Sequence, residues 1–244
     1  DGIRDSVASR GRGDVYKRQE LKSQAGSARP KNQTLHDDIR QTKEAWLAQW
    51  MPKLTSNEVP MNPYRVVWDL MHTVDLDNTI ITHESGSARE YLSPFWEARA
   101  PRSFIGWGKS TQLGYSLGLA MGAKLAAPEK LCINVMGDLA FSTVGLDVET
   151  AVRCDIPTLT IVINNAYMSI YDDSRFPVAL EKYNIKTLSG EFSEVAQAMG
   201  AYTEKITVPN DIIPSIKRGI SETEAGKAVV LEFITKDEGE YSKF

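Results

Sequence analysis

Two short apolar runs, each ended by a polar pair, constrain the fold of this chain more than any other feature. The run Leu131–Met136 is followed by Gly137-Asp138, and the run Thr158–Ile163 is followed by Asn164-Asn165. Both runs are rich in β-branched residues, which is typical of buried parallel strands. Apolar residues at helical spacing over Thr143–Cys154 lie between them, so we predict a strand–helix–strand unit.

A right-handed crossover places the ends of the two strands at the same edge of the sheet. We therefore predict that Asp138 and Asn165 converge at the carboxyl edge, where open α/β sheets bind ligands. Carboxylate and amide oxygens suit Mg²⁺, which usually bridges to phosphate groups. The alternatives are structural, because Asp138 could cap a helix N-terminus and Asn165 could form a turn.

The rest of the chain also alternates between strand and helix patterns. This alternation predicts an α/β fold, a doubly wound parallel sheet with helices on both faces. Gly200 is expected to end one of the helices, and Leu117, Met121 and Leu125 are expected to share a face of another. We predict helices over 41–53, 63–74, 114–126, 192–199 and 210–222, and further strands over 79–82 and 229–234.

Composition excludes several classes of protein. Hydrophobic residues make up 42% of the chain and charged residues 25%, an ordinary globular balance. The net charge of −4 argues against a nucleic-acid interface, and no apolar run is long enough to cross a bilayer. The two cysteines and three histidines have no zinc or disulfide spacing. A cytoplasmic location is expected.

The spacing of the polar pairs also carries a family resemblance. Asp138 and Asn165, 27 residues apart within GDLAFSTVGLDVETAVRCDIPTLTIVINN, resemble the diphosphate-binding motif of thiamine diphosphate (ThDP) enzymes. The resemblance is strongest to the acetohydroxyacid synthase (acetolactate synthase large subunit) and 2-oxo-acid decarboxylase group. It extends through PMNPYRVVWDLMHTV, GYSLGLAMGAKLAAP and EFSEVAQAMGAYTEKI. It implies ThDP and Mg²⁺ as cofactors and a 2-oxo acid substrate that is decarboxylated or joined to a second molecule.

The resemblance divides the chain into three parts. Residues 1–34 are expected to be an unstructured extension or one that is not native to the protein. Residues 35–59 resemble the tail of a preceding central domain and its linker. Residues 60–244 are expected to form the ThDP diphosphate-binding domain.

The resemblance also implies which residues hold the cofactor. Mg²⁺ would be bound by the side chains of Asp138 and Asn165 and by the main-chain carbonyl of Tyr167. Backbone N–H groups of Leu139 and Ala140 would meet the diphosphate, although Gly or Ala is usual at position 139 in the family. The residues assigned to the cofactor are Gly86, Ser87, Thr111, Leu113, Gly137, Asp138, Leu139, Ala140, Asn165, Tyr167 and Met168.

Several of these assignments have structural alternatives. Ser87 would donate its hydroxyl to the diphosphate, with Arg89 adding charge if it faces inward, or both could lie in a solvated turn. Leu113 would support the bent cofactor, with the Thr111 carbonyl facing the aminopyrimidine, or Leu113 could be an ordinary core residue. His83 is expected to pack at a strand end rather than act as a base.

No catalytic residue is assigned. In relatives, the glutamate that activates the cofactor lies on a pyrimidine-binding domain, usually that of a partner subunit. This chain shows no such domain before residue 60, so it resembles the C-terminal part of a longer enzyme and is expected to be inactive alone. The resemblance implies a homodimer or homotetramer, with Leu113, Tyr115 and Leu117 as the candidate contact.

Two other interpretations compete with this one. The segment SFIGWGKST ends like a phosphate-binding loop of a nucleotide-binding protein, but Ser103 stands where that pattern needs glycine. The second alternative is a fragment or degenerate paralogue that folds without turning over a substrate.

Overall fold

A computed structural model describes residues 19–23, 32–106 and 112–242 of the chain. Thr111 and the end of the SFIGWGKST segment lie outside these residues. The chain divides into two compact units, Asp1–Gln49 and Trp50–Phe244. In the first unit, residues 19–23 and 33–49 are helical. None of the helices in the described parts of the chain is long and apolar enough to cross a membrane.

The second unit is built on a six-stranded parallel sheet with the strand order β2-β1-β3-β4-β6-β5. Strands β3, β4 and β6 at its centre are mostly apolar and are almost wholly buried, as expected for strands covered on both faces. The strands are β1 (Thr79–His83), β2 (Phe104–Ile105), β3 (Leu131–Gly137), β4 (Leu159–Asn164), β5 (Tyr202–Ile206) and β6 (Val229–Ile234).

Helices cover both faces of this sheet. On one face, Met136, Val162 and Val230 pack in a core cluster with residues of α4, α5, α6 and α8. On the other face, α9 approaches so closely that a Cβ at Gly219 would lie 3.0 Å from a methyl group of Leu231. The helices are α1 (Gln33–Leu54), α2 (Pro63–Thr73), α3 (Ser87–Leu92), α4 (Tyr115–Ala126), α5 (Asp138–Val144), α6 (Val148–Arg153), α7 (Pro177–Tyr183), α8 (Phe192–Ala198) and α9 (Ile212–Glu224).

The α/β class and the doubly wound parallel sheet are thus confirmed. The predicted strand over 229–234 has the observed bounds, and Gly200 follows α8 with a φ of 93°, a conformation that favours glycine. The predicted helix over 143–154 is wrong as a single element. Helix α5 begins at once with Asp138, a 3₁₀ turn over Gly145–Asp147 follows, and α6 completes the crossover.

Glycine explains the break in this crossover, because it is a poor residue for a helix interior. The ring of Phe141 also lies 2.4 Å from the position that a Cβ of Gly145 would occupy, so this turn is packed too closely for a larger residue. The predicted apolar face of α4 also needs a correction. Leu117 is buried, but Leu125 lies at the end of the helix and is 69% exposed.

Strand β5 was not predicted. It lies at the edge of the sheet, and Glu204 and Lys205 interrupt its apolar pattern. Charged residues are common on edge strands, where they discourage pairing with another chain. Because of these two charged residues, β5 lacks the apolar run by which the central strands can be recognised.

A buried carboxylate anchors the carboxyl edge of the sheet. Glu232 in β6 is fully buried and accepts a hydrogen bond of 2.6 Å from Nδ2 of Asn164 at the end of β4. Its other oxygen accepts from the backbone N–H and the hydroxyl of Ser193 at the start of α8, at 2.8 and 2.7 Å. Glu232 therefore fixes the first asparagine of the Asn-Asn pair to the core.

We predict that Glu232→Ala destabilises the fold by about 3 kcal/mol or more, because three buried donors lose their acceptor. Glu232→Gln should destabilise it by about half as much, since only the donor from Asn164 then faces another donor. Urea denaturation measures both changes. The exposed Glu194→Ala on α8 is the control, and an alanine variant at 232 that is as stable as this control would contradict the anchor role.

Candidate functional site

A cavity of about 250 Å³ opens at the carboxyl edge of the sheet, between the loop after β1 and the ends of β3 and β4. Every residue that the sequence assigned to the cofactor lines it except Thr111, which is outside the described residues. These lining residues are Gly86, Ser87, Leu113, Gly137, Asp138, Leu139, Ala140, Asn165, Tyr167 and Met168. The structure therefore brings together positions that are far apart in the sequence.

Asp138 is the most buried polar residue of this cavity, with only 4% of its surface exposed. Its Oδ1 accepts from the N–H of Leu139 at 2.7 Å, and its Oδ2 accepts from the N–H of Ala166 at 2.7 Å. Burial raises the pKa of the Asp138 carboxyl to about 6, while hydrogen bonds from these two N–H groups oppose the rise. A bound cation would favour the ionised form.

The turn after β4 brings Asn165 and Tyr167, the other two predicted metal ligands, to the same cavity. Ala166 has a φ of 55°, a left-handed conformation that residues other than glycine rarely adopt. Asn165 closes the turn, because its Oδ1 accepts from the N–H of Tyr167 at 3.1 Å. Its Nδ2 donates to the Ser169 hydroxyl at 2.5 Å. Asn165 therefore has the turn-forming role given above as the alternative, and its side chain also lines the cavity.

The oxygen atoms at this edge fit a small hard cation. Asp138 supplies a carboxylate, Asn165 an amide oxygen and Tyr167 a main-chain carbonyl, which are the ligand types of Mg²⁺. The Tyr167 carbonyl accepts from the N–H of Ser169 at 3.0 Å and from the Ser169 hydroxyl at 3.4 Å. A metal would replace the longer of these two bonds, because the hydroxyl can rotate away and the carbonyl has two lone pairs.

The loop after β1 forms the opposite wall. Gly86 and Ser87 line the cavity, and the Ser87 hydroxyl lies 2.9 Å from the hydroxyl of Tyr241. Arg89 does not line the cavity, because its guanidinium pairs with Glu90. The conditional prediction that Arg89 adds charge to the site is therefore not met in this structure.

Glu84 is a residue of this region that the sequence analysis missed. It is fully buried, and its Oε2 accepts from the N–H of Gly114 and from the Ser116 hydroxyl, both at 2.9 Å. Its Oε1 accepts from the N–H of Ser85. Glu84 thereby connects the loop after β1 to the start of α4. The charged residue at a strand end in THESGS was the available signal for it.

Leu113 and Leu117 have different environments. Leu113 lines the cavity and also packs against the core cluster, which combines the predicted support role with the core alternative. Leu117 belongs to that cluster and is only 1% exposed, so it cannot form the predicted subunit contact. The packing of α4 on the sheet takes up that face of the helix.

His83 is buried at the end of β1, as expected of a packing residue. Its ring lies 5.1 Å from that of Phe104, measured between centroids, and against the backbone of Gly106. Burial lowers the pKa of its imidazole, and the charge of Arg89 adds to this effect. A hydrogen bond with the Glu84 carbonyl and the charges of Glu84 and Glu90 oppose it. His83 does not line the cavity.

We predict that His83 makes the fold less stable in mild acid. The unfolded state takes up a proton as the pH falls through about 6.5, while the folded state resists protonation until a lower pH. The free energy of unfolding should therefore fall more steeply between about pH 7.5 and pH 5 in the wild type than in His83→Gln. Urea denaturation at both pH values measures this, with the exposed His72→Gln as the control. Equal slopes in all three proteins would rule it out.

Comparison with protein families agrees with this geometry. Residues 84–233, more than half of the chain, match the family described as "Thiamine pyrophosphate enzyme, C-terminal TPP binding domain". The chain belongs to this family. Thiamine pyrophosphate is another name for ThDP, so the cofactor of the family is ThDP, with Mg²⁺ as its usual partner. The matched range contains the loop after β1, the whole β3–β4 crossover and β6 up to Phe233.

The individual relatives of this chain are distant in sequence. The chain is 27% identical over 202 residues to a protein of Methanocaldococcus jannaschii called "Probable acetolactate synthase large subunit". It is 22% identical over 210 residues to "Acetolactate synthase isozyme 3 large subunit" of Escherichia coli. It is 27% identical over 180 residues to "Sulfoacetaldehyde acetyltransferase" of Alcaligenes xylosoxydans.

These alignments cover 75%, 84% and 71% of this chain, in the same order. They cover only 33%, 36% and 29% of the relatives. The chain thus spans about a third of the length of the proteins it matches.

Proposed function

We propose that this domain binds the diphosphate of ThDP through Mg²⁺ in the cavity at the carboxyl edge. It would do so as part of an enzyme that decarboxylates or joins 2-oxo acids in the manner of acetolactate synthase. The observation that carries the proposal is the hydrogen bond from the Ala166 N–H to Asp138. It holds the ends of β3 and β4 together, so that Asp138, Asn165 and Tyr167 line one cavity.

Each part of the cavity has a separate task in this proposal. Asp138, Asn165 and the Tyr167 carbonyl hold Mg²⁺, and the N–H of Ala140 at the start of α5 faces the phosphates. The N–H of Leu139, which the sequence analysis also assigned to the diphosphate, donates instead to Asp138. A helix N-terminus after a strand is suited to anions. Gly86 and Ser87 contact the diphosphate from the opposite wall, and Leu113 supports the rest of the cofactor.

ThDP supplies the electron sink for the decarboxylation of a 2-oxo acid, and the protein supplies placement. Among the described residues, no glutamate lines the cavity. The oxygens of the nearby Glu84 accept bonds from Ser85, Gly114 and Ser116. We therefore assign the activating glutamate to a pyrimidine-binding domain, in cis or on a partner subunit. Decarboxylation of pyruvate by residues 1–244 alone would contradict this assignment.

Removing the Asp138 carboxylate tests the metal site. We predict that Asp138→Asn weakens Mg²⁺-dependent ThDP binding by at least about tenfold, since a neutral amide is a poorer ligand for a hard cation than a carboxylate. The amide is similar in shape, so the variant should still fold, although less stably, because its Nδ2 then faces the N–H of Leu139 or Ala166. Isothermal titration with ThDP, with and without Mg²⁺, measures the change, and circular dichroism checks the fold.

Asp147→Asn is a suitable control, because this exposed residue lies in the same crossover outside the cavity. Equal affinity of the folded Asp138 variant and the wild type would remove Asp138 from the metal site. If the wild type binds ThDP but turns over no 2-oxo acid even when a pyrimidine-binding domain is supplied, the alternative of a non-catalytic paralogue is favoured.

A further inference from the structure

The segment between Asn165 and Glu191 leaves the sheet and returns, and the structure describes all of its residues. It contains a 3₁₀ turn over Asp173–Arg175 and helix α7, and neither has a buried residue. Several of its larger apolar side chains are open to solvent, with Val178 61% and Tyr183 76% exposed, and the others are half-buried. An apolar core of its own therefore does not hold this segment in place.

Lys186 is the only buried residue of this segment, and its side chain is 4% exposed. Its Nζ donates to the main-chain carbonyl of Tyr171 and to Oδ1 of Asp173, both at 2.5 Å. The same ammonium lies 4.4 Å from the centroid of the Tyr167 ring. The Tyr167 hydroxyl in turn donates to Oδ1 of Asp173 at 2.9 Å. One cation thus joins three points of the chain that follows Asn165.

The backbone of Lys186 is engaged with the same stretch. The N–H of Met168 donates to the Lys186 carbonyl at 2.8 Å, and the N–H of Leu188 donates to the Ala166 carbonyl at 2.9 Å. Tyr167 and Thr187 form an antiparallel bridge between these two bonds. Residues 166–168 are therefore paired with residues 186–188 directly beside the cavity.

A buried ammonium is unfavourable unless other groups replace its hydration. Here a carbonyl, a carboxylate and the face of an aromatic ring do so, and a desolvated cation–π contact is a strong one. The partners of Lys186 include two residues that line the cavity, Tyr167 and Tyr171. Lys186 therefore connects two residues of the cavity wall to each other and to the returning part of the segment.

We propose that Lys186 is a positioning residue that holds residues 166–173 in the conformation forming one wall of the cofactor cavity. By fixing Tyr167, it also places the main-chain carbonyl assigned to Mg²⁺. The role of Lys186 in holding residues 166–173 concerns the conformation of the chain alone. Its role in placing the metal carbonyl rests on the proposed function. The two roles can be tested separately.

Amide hydrogen exchange of the full chain tests whether Lys186 holds residues 166–173 in place. In Lys186→Met, exchange at Met168 and Leu188 should become roughly ten- to a hundredfold faster, because charge-assisted bonds are lost from a locally stable segment. Asp173→Asn should also accelerate exchange at these two residues. Because the Asp173 side chain is 63% exposed, this substitution should not unfold the protein as a whole. Exchange at Val162 in β4 should not change.

Lys182→Met is the matched control, because it removes the same charge from an exposed position four residues away. Exchange at Met168 and Leu188 that stays at the wild-type rate in both Lys186→Met and Asp173→Asn would overturn the proposal. Acceleration by Lys182→Met of equal size would do so too, since it would show a general effect of charge.

Titration with Mg²⁺ and ThDP tests whether Lys186 places the Tyr167 carbonyl for the metal. Lys186→Met should lower the affinity by about tenfold or more, and Lys186→Arg, which keeps the charge, should recover part of it. Suppose that the wild type binds ThDP and that Lys186→Met binds it with the same affinity although its amide exchange is faster. Lys186 then does not place the metal carbonyl. If the wild type itself binds no ThDP, the proposed function fails and the exchange experiment still decides the positioning role.

Discussion

The candidate site depends on the single N–H group of Ala166. This group lies between two acceptors, Oδ2 of Asp138 at 2.7 Å and Oδ1 of Asn164 at 3.0 Å. To reach them, Ala166 adopts the left-handed conformation, which is unfavourable for a residue with a side chain. Strain of this kind persists only where the surroundings enforce it, and it is concentrated at functional sites. Here it brings the ends of β3 and β4 to one point.

Support for this turn comes from both sides. From the core, Glu232 binds Asn164 and the start of α8, so the position of the turn is tied to the packing of a buried strand. From the solvent side, the backbone and side chain of Lys186 hold Met168 and Tyr167. The site is thus fixed by polar contacts of buried groups, which are costly to leave unpaired and therefore specific in their geometry.

The sequence predicts the central sheet well, because β3, β4 and β6 are buried on both faces and are mostly apolar. It also predicts the meeting of Asp138 and Asn165, since the handedness of the crossover follows from general rules. Edge strand β5 and the break at Gly145 were missed, because charge and close packing decide them rather than periodicity. Lys186 was not recognisable in the sequence, because a lysine is normally exposed and its burial depends on partners brought together by the fold.

We propose that Asp138, Asn165 and the Tyr167 carbonyl bind one metal ion that also holds ThDP. A crystal structure of the protein with ThDP and Mn²⁺ tests this, because the anomalous scattering of Mn²⁺ locates the metal. We expect one metal peak at this edge, within about 2.0–2.3 Å of an oxygen of each of the three residues and of a diphosphate oxygen. A metal–ThDP complex bound elsewhere, or at this edge without contact to Asp138, would show that these residues are not the metal site.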